Sequence, residues 1–489
     1  MTVLNLRHVS DPDSIHCGGL VSSLTKRAWR CLRPEASIPP IPGCRCKSHT
    51  DTLRFDPQPT HAALPRVPPM KLAYLLSEYP TLQHTYLLRE VRQLRQLGWD
   101  IQTISVRRPA SRVDALSPAE AEELRSTWYI LGSGPFTFAK EHAVTLATRP
   151  IRYLRGLATA LKFGRFNPRR TLFAAAYFVE AVCAGYRLKQ AGITYVHSVY
   201  STTVALILAR VFDVNLSMAL HGSGEFTDPE GFAIREKVRV AQLVCAISYF
   251  GRSQIMLWSA SSDWHKLEVS PLGVDLTGWK LATFREHPSP FELISVGRLV
   301  ETKGYRLLLD AVALLRKEGR DLRLTMAGDG PDRARLEEQA QRLEIADCVF
   351  FAGWKNQDEL RELYLTSDVG VLSSFAEGVP VVLMETMATG VPCVAPRISG
   401  IPELIRDGID GFLFTASNVQ ELVAALGQLM DDPDLRRRMA DSSRLRVADK
   451  YDLQKNVGLL SEVFNRWISP EGGLSAARPT APTHKSAAS

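Results

Sequence analysis

Two successive runs of short apolar segments, each alternating with amphipathic stretches, constrain this chain more than any other feature. The first run opens at Lys71-Leu72-Ala73-Tyr74-Leu75-Leu76 and continues to Leu267–Val269; the second opens at Phe291–Val296 and continues to Gly411–Phe414. Near-continuous apolar strands separated by helical periodicity are the pattern of a parallel sheet covered by helices on both faces. In the first run, strands are expected at 71–76, Ile101–Val106, Ile193–His197, Leu216–His221, Leu243–Ile247 and Leu267–Val269, with helices near 84–97, 202–212 and 232–240. In the second, strands are expected at 291–296, Leu322–Ala327, Cys348–Ala352, Val369–Ser373, Pro392–Ala395 and 411–414, with helices near 303–317, 332–343, 357–366 and 380–389. The pattern breaks over 276–290, at Trp279, Pro288 and Pro290. The fold class is therefore α/β, two facing Rossmann-like domains with parallel sheets. Residues 70–280 form the first, residues 281–450 the second, and 451–469 a C-terminal helix. Open sheets of this kind bind ligands outside the carboxyl ends of their strands, so a pair of them frames a cleft.

The rest of the chain is read by composition. At 489 residues it is too long for one core. Residues 1–69 carry Ile38-Pro39-Pro40-Ile41-Pro42 and the stretch from Pro57 to Pro69 without periodicity, and read as a disordered extension. The strand pattern starts directly after Met70, which makes Met70 an alternative start. Residues 470–489, rich in Pro, Ala, Ser and Gly, read as a disordered tail. No apolar run reaches the roughly 20 residues that span a bilayer, and the first thirty residues contain no apolar core of a signal peptide, so a cytoplasmic location is expected. Cys183, Cys245, Cys348 and Cys393 stand singly in apolar segments, as buried thiols do in a reducing compartment. Cys44 and Cys46 lack a second pair at zinc spacing. The net charge of +7 is mild for this length and does not imply nucleic acid.

Three segments of the second run carry chemistry. The first strand ends in Val296-Gly297-Arg298-Leu299-Val300-Glu301-Thr302-Lys303-Gly304. Gly297 lets backbone approach a ligand, and Arg298 and Lys303 are cations at a strand end and a helix start, where they can neutralise a diphosphate or remain solvated. Ala327-Gly328-Asp329-Gly330-Pro331 lacks the third glycine of a dinucleotide fingerprint and reads as a tight strand-to-helix turn. Phe375-Ala376-Glu377-Gly378-Val379-Pro380-Val381-Val382-Leu383-Met384-Glu385 places Glu377 in a loop, Pro380 at a helix start and Glu385 one turn inside that helix. The free N–H groups of Gly378, Val379 and the first helical turn can bind an anion. Glu385, among apolar neighbours, needs a partner, either ligand hydroxyls or a local cation.

Together with Leu324–Gly330, Val349–Gly353 and Gly400-Ile401-Pro402-Glu403-Leu404-Ile405, these segments resemble the donor-binding domain of the retaining glycosyltransferase family 4, which has the GT-B fold. The resemblance covers nearly all of residues 290–430. It implies that Arg298 and Lys303 bind a nucleotide diphosphate, with Gly297 beside them. Glu385 then accepts from ribose hydroxyls, Glu377 contacts the donor sugar, and the backbone near Trp354 and Lys355 receives the base. The backbone of Gly378, Val379, Pro380 and Val381 approaches the phosphate and sugar.

The first run resembles the family less closely. Ser77-Glu78-Tyr79-Pro80-Thr81-Leu82-Gln83-His84-Thr85-Tyr86 is similar to the opening of a subset that includes colanic-acid and other exopolysaccharide glycosyltransferases. There a Ser-Glu-Phe-Pro-like turn leads to Glu-Thr-Phe; here His84-Thr85-Tyr86 replaces it. Glu78, His84 and Thr85 are therefore acceptor-side candidates, together with His197 at a strand end, which scaffold or site equally explains. His221-Gly222 ends a strand as in members whose His lies near the donor sugar, and Ser270-Pro271-Leu272-Gly273-Val274-Asp275 matches a Gly-Val-Asp segment. No metal-ligand spacing is present and GT-B enzymes generally need no bound metal, so no metal or cofactor is expected and the nucleotide sugar is a substrate.

Residues 140–190 carry Lys140, Arg149, Arg152, Arg155, Lys162, Arg165, Arg169, Arg170, Arg187 and Lys189 against Glu141 and Glu180, with Tyr153, Leu154, Leu157, Leu161, Phe163 and Phe166 interleaved. That composition suits an anionic membrane surface, or a solvated helix face over an apolar contact. The function these readings point to is hexosyl transfer from a UDP- or GDP-linked sugar to a glycan or lipid-linked saccharide. Nucleotide-sugar epimerisation and a catalytically silent sugar-nucleotide binder are the alternatives.

Overall fold

The computed structural model describes residues 71–81, 85–109, 117–132, 134–164 and 168–468. The expectations for 1–69, Met70, Cys44, Cys46, His84, Arg165, Phe166 and 470–489 lie outside these residues.

The first alternating run gives β1 (Lys71–Glu78), β2 (Asp100–Arg107), β3 (Trp128–Tyr129), β4 (Tyr195–Val199), β5 (Asn215–Leu220), β6 (Leu243–Ala246) and β7 (Leu267–Val269). The second gives β8 (Phe291–Val296), β9 (Leu322–Ala327), β10 (Val349–Gly353), β11 (Val369–Val371), β12 (Cys393–Pro396) and β13 (Gly411–Phe414). They pair into a seven-stranded sheet, ordered β3-β2-β1-β4-β5-β6-β7, and a six-stranded sheet, ordered β10-β9-β8-β11-β12-β13. Every named pairing in both is parallel. Helices cover both faces, because the strands are apolar on both sides: Leu72 to Leu76 are all buried, as are Leu293, Ile294 and Ser295. The strand order reverses between β1 and β4 in the first sheet and between β8 and β11 in the second. At such a reversal neighbouring connections leave towards opposite faces, and a crevice opens at the strands' carboxyl ends.

Three differences from the expected elements have local causes. β4 starts at Tyr195 because the Ile193 N–H is used to close the preceding helix, bonding Leu188 O at 3.0 Å, with Gly192 in the left-handed region at φ +68°. β3 was not expected; a two-residue edge strand carries no periodicity to read. The helical stretch before β4 is three helices, 135–148, 150–164 and 168–190. In the middle one Gly156, Ala160 and Gly164 form the buried stripe. A Cβ on Gly156 would meet Val211 Cγ2 at 2.3 Å, so the small residue lets this helix lie close on helix Thr202–Val211.

The C-terminal helix, Leu453–Ile468, belongs with the first sheet. After helix Pro433–Lys450 the chain crosses back beside Gly273 and Val274. Val274 N donates to Tyr451 O (2.9 Å) and Leu453 N to Val274 O (3.0 Å). A Cβ on Gly273 would lie 2.6 Å from Leu453 Cα. The Gly-Val-Asp segment is thus the seam that receives the returning chain. Phe464 then packs edge-on against Trp99 and His197, and Trp99 Nε1 donates to Ser461 Oγ at 2.8 Å. One buried apolar cluster accordingly runs from Leu72 and Tyr86 through Val274 to Leu383 and Phe464, joining the two sheets.

Candidate active site

The two loops that flank the β8/β11 reversal are pinned together by backbone and glycine packing. Leaving β8, the chain makes a tight turn over Glu301–Lys303 and enters helix Tyr305–Lys317 through Gly304, at φ +64°. A Cβ there would lie 2.1 Å from Ser373 O, so only glycine fits. Phe375 N donates to Thr302 O (2.8 Å) and Ser373 Oγ to Lys303 O (2.9 Å). The result places Lys303 Nζ 2.5 Å from Glu377 Oε1. Arg298, earlier in the same loop, is exposed. Gly328 and Gly330 pack against Gly297 O and Leu299 O, where Cβ atoms would come within 2.0 and 2.2 Å; the G-x-G is the tight turn read from the sequence.

Beyond Glu377, Gly378 and Val379 lead to Pro380, and the helix runs Val381–Ala388. Glu385 is buried in it. Its carboxylate accepts from Gln357 Nε2 (3.1 Å) and Tyr364 OH (3.4 Å). Burial pushes this carboxyl up to about 7, against the opposing pull of the Arg89 guanidinium. Arg89 comes from the first domain and donates to Gln357 Oε1. Arg89 and Gln357 were not read from the sequence: an Arg on an amphipathic helix and a Gln at a helix start have no pattern that sets them apart. Trp354 is exposed, and Lys355 pairs with Glu359 (3.0 Å) just before helix Gln357–Leu365, whose start is capped by Asn356. This is the same helix that supplies Gln357 and Tyr364 to Glu385.

The first domain brings His221, directly after β5, to this loop. Gly378 packs on the His221 carbonyl so closely that a Cβ would lie 2.2 Å from the oxygen. His221 N and Gly222 N donate to Glu225 Oε2 at 3.1 and 3.4 Å. The imidazole Nδ1 lies 3.0 Å from Tyr86 OH, which lies 2.6 Å from Tyr200 OH. A second clasp crosses the cleft: Glu403, in Gly400-Ile401-Pro402-Glu403, accepts from Tyr249 N (2.8 Å) and Phe250 N (2.7 Å), the free donors opening helix Tyr249–Trp258.

Of the other acceptor-side candidates, Glu78 ends β1 half-buried and Thr85 opens the helix that carries Tyr86. His197 goes elsewhere. Its ring is buried between Tyr74 and Phe464, Nδ1 lies 2.9 Å from Ser217 Oγ, and burial, with the neighbouring His221, lowers it to about 3. It is a neutral packing residue under the C-terminal helix. Among the described residues, no group of three or more His, Cys, Asp or Glu is gathered to hold a metal ion, and no helix is long and apolar enough to cross a membrane.

Residues 282–446 match the family described as Glycosyl transferases group 1. The amylovoran biosynthesis glycosyltransferase AmsK of Erwinia amylovora is 25% identical over 417 residues, spanning 81% of this chain and 100% of that protein. Among solved structures, sucrose-phosphate synthase from Thermosynechococcus elongatus superposes with a TM-score of 0.64 at 17% identity, over 81% of this chain and 98% of the other. HepE of Anabaena, solved with UDP and glucose, superposes with a TM-score of 0.61 at 18% identity, over 81% and 99%. Residues 282–446 thus match Glycosyl transferases group 1, the two sheets have the GT-B fold, and the chain is a glycosyltransferase.

Proposed function

We propose that this enzyme is a retaining hexosyltransferase of glycosyltransferase family 4. It takes its sugar from a UDP- or GDP-linked donor and passes it to a glycan or lipid-linked saccharide in the building of an exopolysaccharide. The observation that carries this reading is the meeting of Lys303, Glu377 and the Gly378–His221 contact at the β8/β11 reversal, with Glu385 inside the adjoining helix. Lys303, Arg298 and the N–H groups opening helix Val381–Ala388 face the diphosphate and stabilise it as it leaves. Glu377 and His221 face the sugar, Glu385 the ribose, and the backbone at Trp354 and Lys355 the base. Transfer is front-face: the bond from the anomeric carbon to the diphosphate breaks, and the departing oxygen takes the acceptor hydroxyl's proton as that hydroxyl's oxygen bonds the same face. The positive charge of the side chains and helix start supplies what the leaving group needs, so the reading invokes no metal. HepE, whose solved form holds UDP and glucose, and AmsK, named for amylovoran synthesis, support the donor and product classes.

A second feature favours an acceptor presented at an anionic membrane on the cytoplasmic side. The helices 135–148, 150–164 and 168–190 leave Phe136 (90% exposed), Ile151 (75%), Leu154, Leu161, Leu172 (72%) and Phe173 in solvent. Their inner faces are already packed through Gly156, Ala160 and Ala174. Lys140, Arg155, Lys162 and Arg169 stand among these apolar groups with no carboxylate paired to them among the described residues. Apolar groups ringed by cations suit a headgroup layer.

Incubation with a panel of nucleotide sugars, followed by mass spectrometry of the captured donor and of products with and without acceptor, tests the function. Release of nucleoside diphosphate with transfer or slow hydrolysis is expected. An epimerised sugar, or capture without turnover, refutes it.

A further inference from the structure

Tyr86 lies in the helix Thr85–Gln96 with its ring buried and its hydroxyl at the first domain's crevice. The ring belongs to the apolar cluster, as a Phe ring would, so what Tyr adds there is one buried oxygen. A buried hydroxyl costs stability unless it is bonded, and this one lies within bonding distance of groups from the ends of two other strands. They are His221 Nδ1 at 3.0 Å and Tyr200 OH at 2.6 Å. The Tyr86 and His221 rings stack with centroids 5.8 Å apart, and Tyr200 meets His221 edge-on at 5.4 Å.

Tyr200 reaches this place at a cost. It follows β4 with φ +63°, in the left-handed region that non-glycine residues seldom enter. It also bridges to Leu76 across the end of β1. The strained turn therefore falls at the β1/β4 reversal, the first domain's own crevice. The backbone of His221 is held independently, by Glu225. Ring and backbone thus have separate supports.

We propose that Tyr86 is a positioning residue for His221, and that Tyr200 completes a relay of two phenols fixing the orientation of the imidazole towards the donor sugar. The inference rests on the reading of His221 as a sugar-facing group. The hydroxyl chain restricts ring rotation.

The test uses the full chain with UDP-glucose and GDP-mannose as donors, Tyr86→Phe, Tyr200→Phe and His221→Ala, and the two Phe variants combined with His221→Ala. Tyr86→Phe should lower kcat about tenfold, as loss of one positioning hydrogen bond does, with UDP affinity and melting temperature near those of the parent. Tyr200→Phe should do the same more weakly. Neither change should matter once His221 is Ala, because the effect passes through the ring. Parental kcat in both Phe variants while His221→Ala is slow overturns the relay and leaves the reading of His221 intact. An equal loss on the His221→Ala background also overturns the relay. Parental kcat in His221→Ala removes the sugar-facing role itself.

Discussion

Lys303 and Glu377 stand 74 residues apart in sequence and 2.5 Å apart in the fold. The approach is built by backbone: Gly304 against Ser373 O, and Phe375 N on Thr302 O. On the proposed function, a cation for a diphosphate and a carboxylate for the adjoining sugar can share one place because those two ligand groups are covalent neighbours. The pair also keeps both charges balanced beside a buried strand end.

Lys303→Ala should weaken UDP binding by about tenfold to a hundredfold, the cost of one charge-assisted contact. Arg298→Ala should act in the same direction with the fold untouched, since the residue is exposed. Lys303→Ala also unpairs Glu377, so its penalty should shrink when Glu377→Gln is present. Calorimetry on the two single variants and the double variant reads this directly. Unchanged UDP affinity in both cation variants would remove the diphosphate assignment.

Glu385 should make donor binding depend on pH. Burial raises its carboxyl to about 7. Its charged form, the better acceptor for ribose hydroxyls, therefore fills in as pH rises from 6 to 8, and affinity for a nucleotide sugar should rise with it. Stability moves the other way. A folded value above the ordinary one near 4.5 gives stability that is whole at pH 4 and lost as pH climbs through 7, on the order of 3 kcal/mol. Glu385→Gln should flatten both profiles and melt higher than the parent at pH 8. Parallel pH profiles for parent and variant would contradict the raised carboxyl.

The second domain was almost wholly legible because every strand there is a short apolar run bounded by Gly, Pro or Asp. The places of Glu377 in a loop and of Glu385 inside the next helix could be read from spacing. What joins the domains could not. Arg89 meets Gln357 over a separation of 268 residues, and Glu403 meets Tyr249 over 154; such pairs leave no local period. His197 could not be decided between scaffold and site from sequence, for a related reason. Strand-end histidines look alike in sequence, and only the return of Phe464 over the first sheet decides that this one is core. The Gly-Val-Asp segment likewise gains its meaning from Leu453, far along the chain.

Association with anionic vesicles should run through the helices 135–148, 150–164 and 168–190. Flotation with phosphatidylglycerol-containing liposomes should exceed that with phosphatidylcholine alone and fall as salt rises to 0.5 M, because screening weakens the attraction. Ile151→Ser combined with Leu172→Ser should reduce flotation without lowering donor hydrolysis, since both side chains are exposed. Equal flotation on neutral vesicles, or none on either, would count against the membrane reading.

Gly378→Ala probes closure of the two domains on one another. The added methyl would lie 2.2 Å from His221 O, so backbone must yield. Misplacement of about an ångström can cost on the order of a hundredfold in turnover. Turnover should fall by at least tenfold. UDP, held mainly by the second domain, should still bind within about threefold of the parent. Parental turnover in this variant would show that the contact is not part of the working arrangement.

The two glutamates should separate by kinetics. An interaction present equally in ground and transition states sets binding, whereas one that strengthens as the sugar gains positive charge sets turnover. Glu377→Gln removes a negative charge near the developing oxocarbenium-like centre and keeps most of the shape. It should lower kcat by about tenfold to a thousandfold, the range one electrostatic contact supplies. Its effect on UDP affinity is complicated by Lys303, which loses its partner and becomes freer to hold phosphate, so UDP should bind as well as in the parent or better. Glu385→Gln should mainly raise the donor KM and weaken UDP, because its ribose role is the same before and during transfer. Circular dichroism has to show first that Glu385→Gln folds, since the carboxylate also receives bonds from Gln357 and Tyr364. A Gln at 385 keeps one accepting oxygen and puts an amide N–H where the other stood, which the Tyr364 hydroxyl can accept, so it is a milder change than Ala. If the two variants exchange their effects, the donor lies reversed along the helix Val381–Ala388; if both keep parental kinetics, neither glutamate serves the donor.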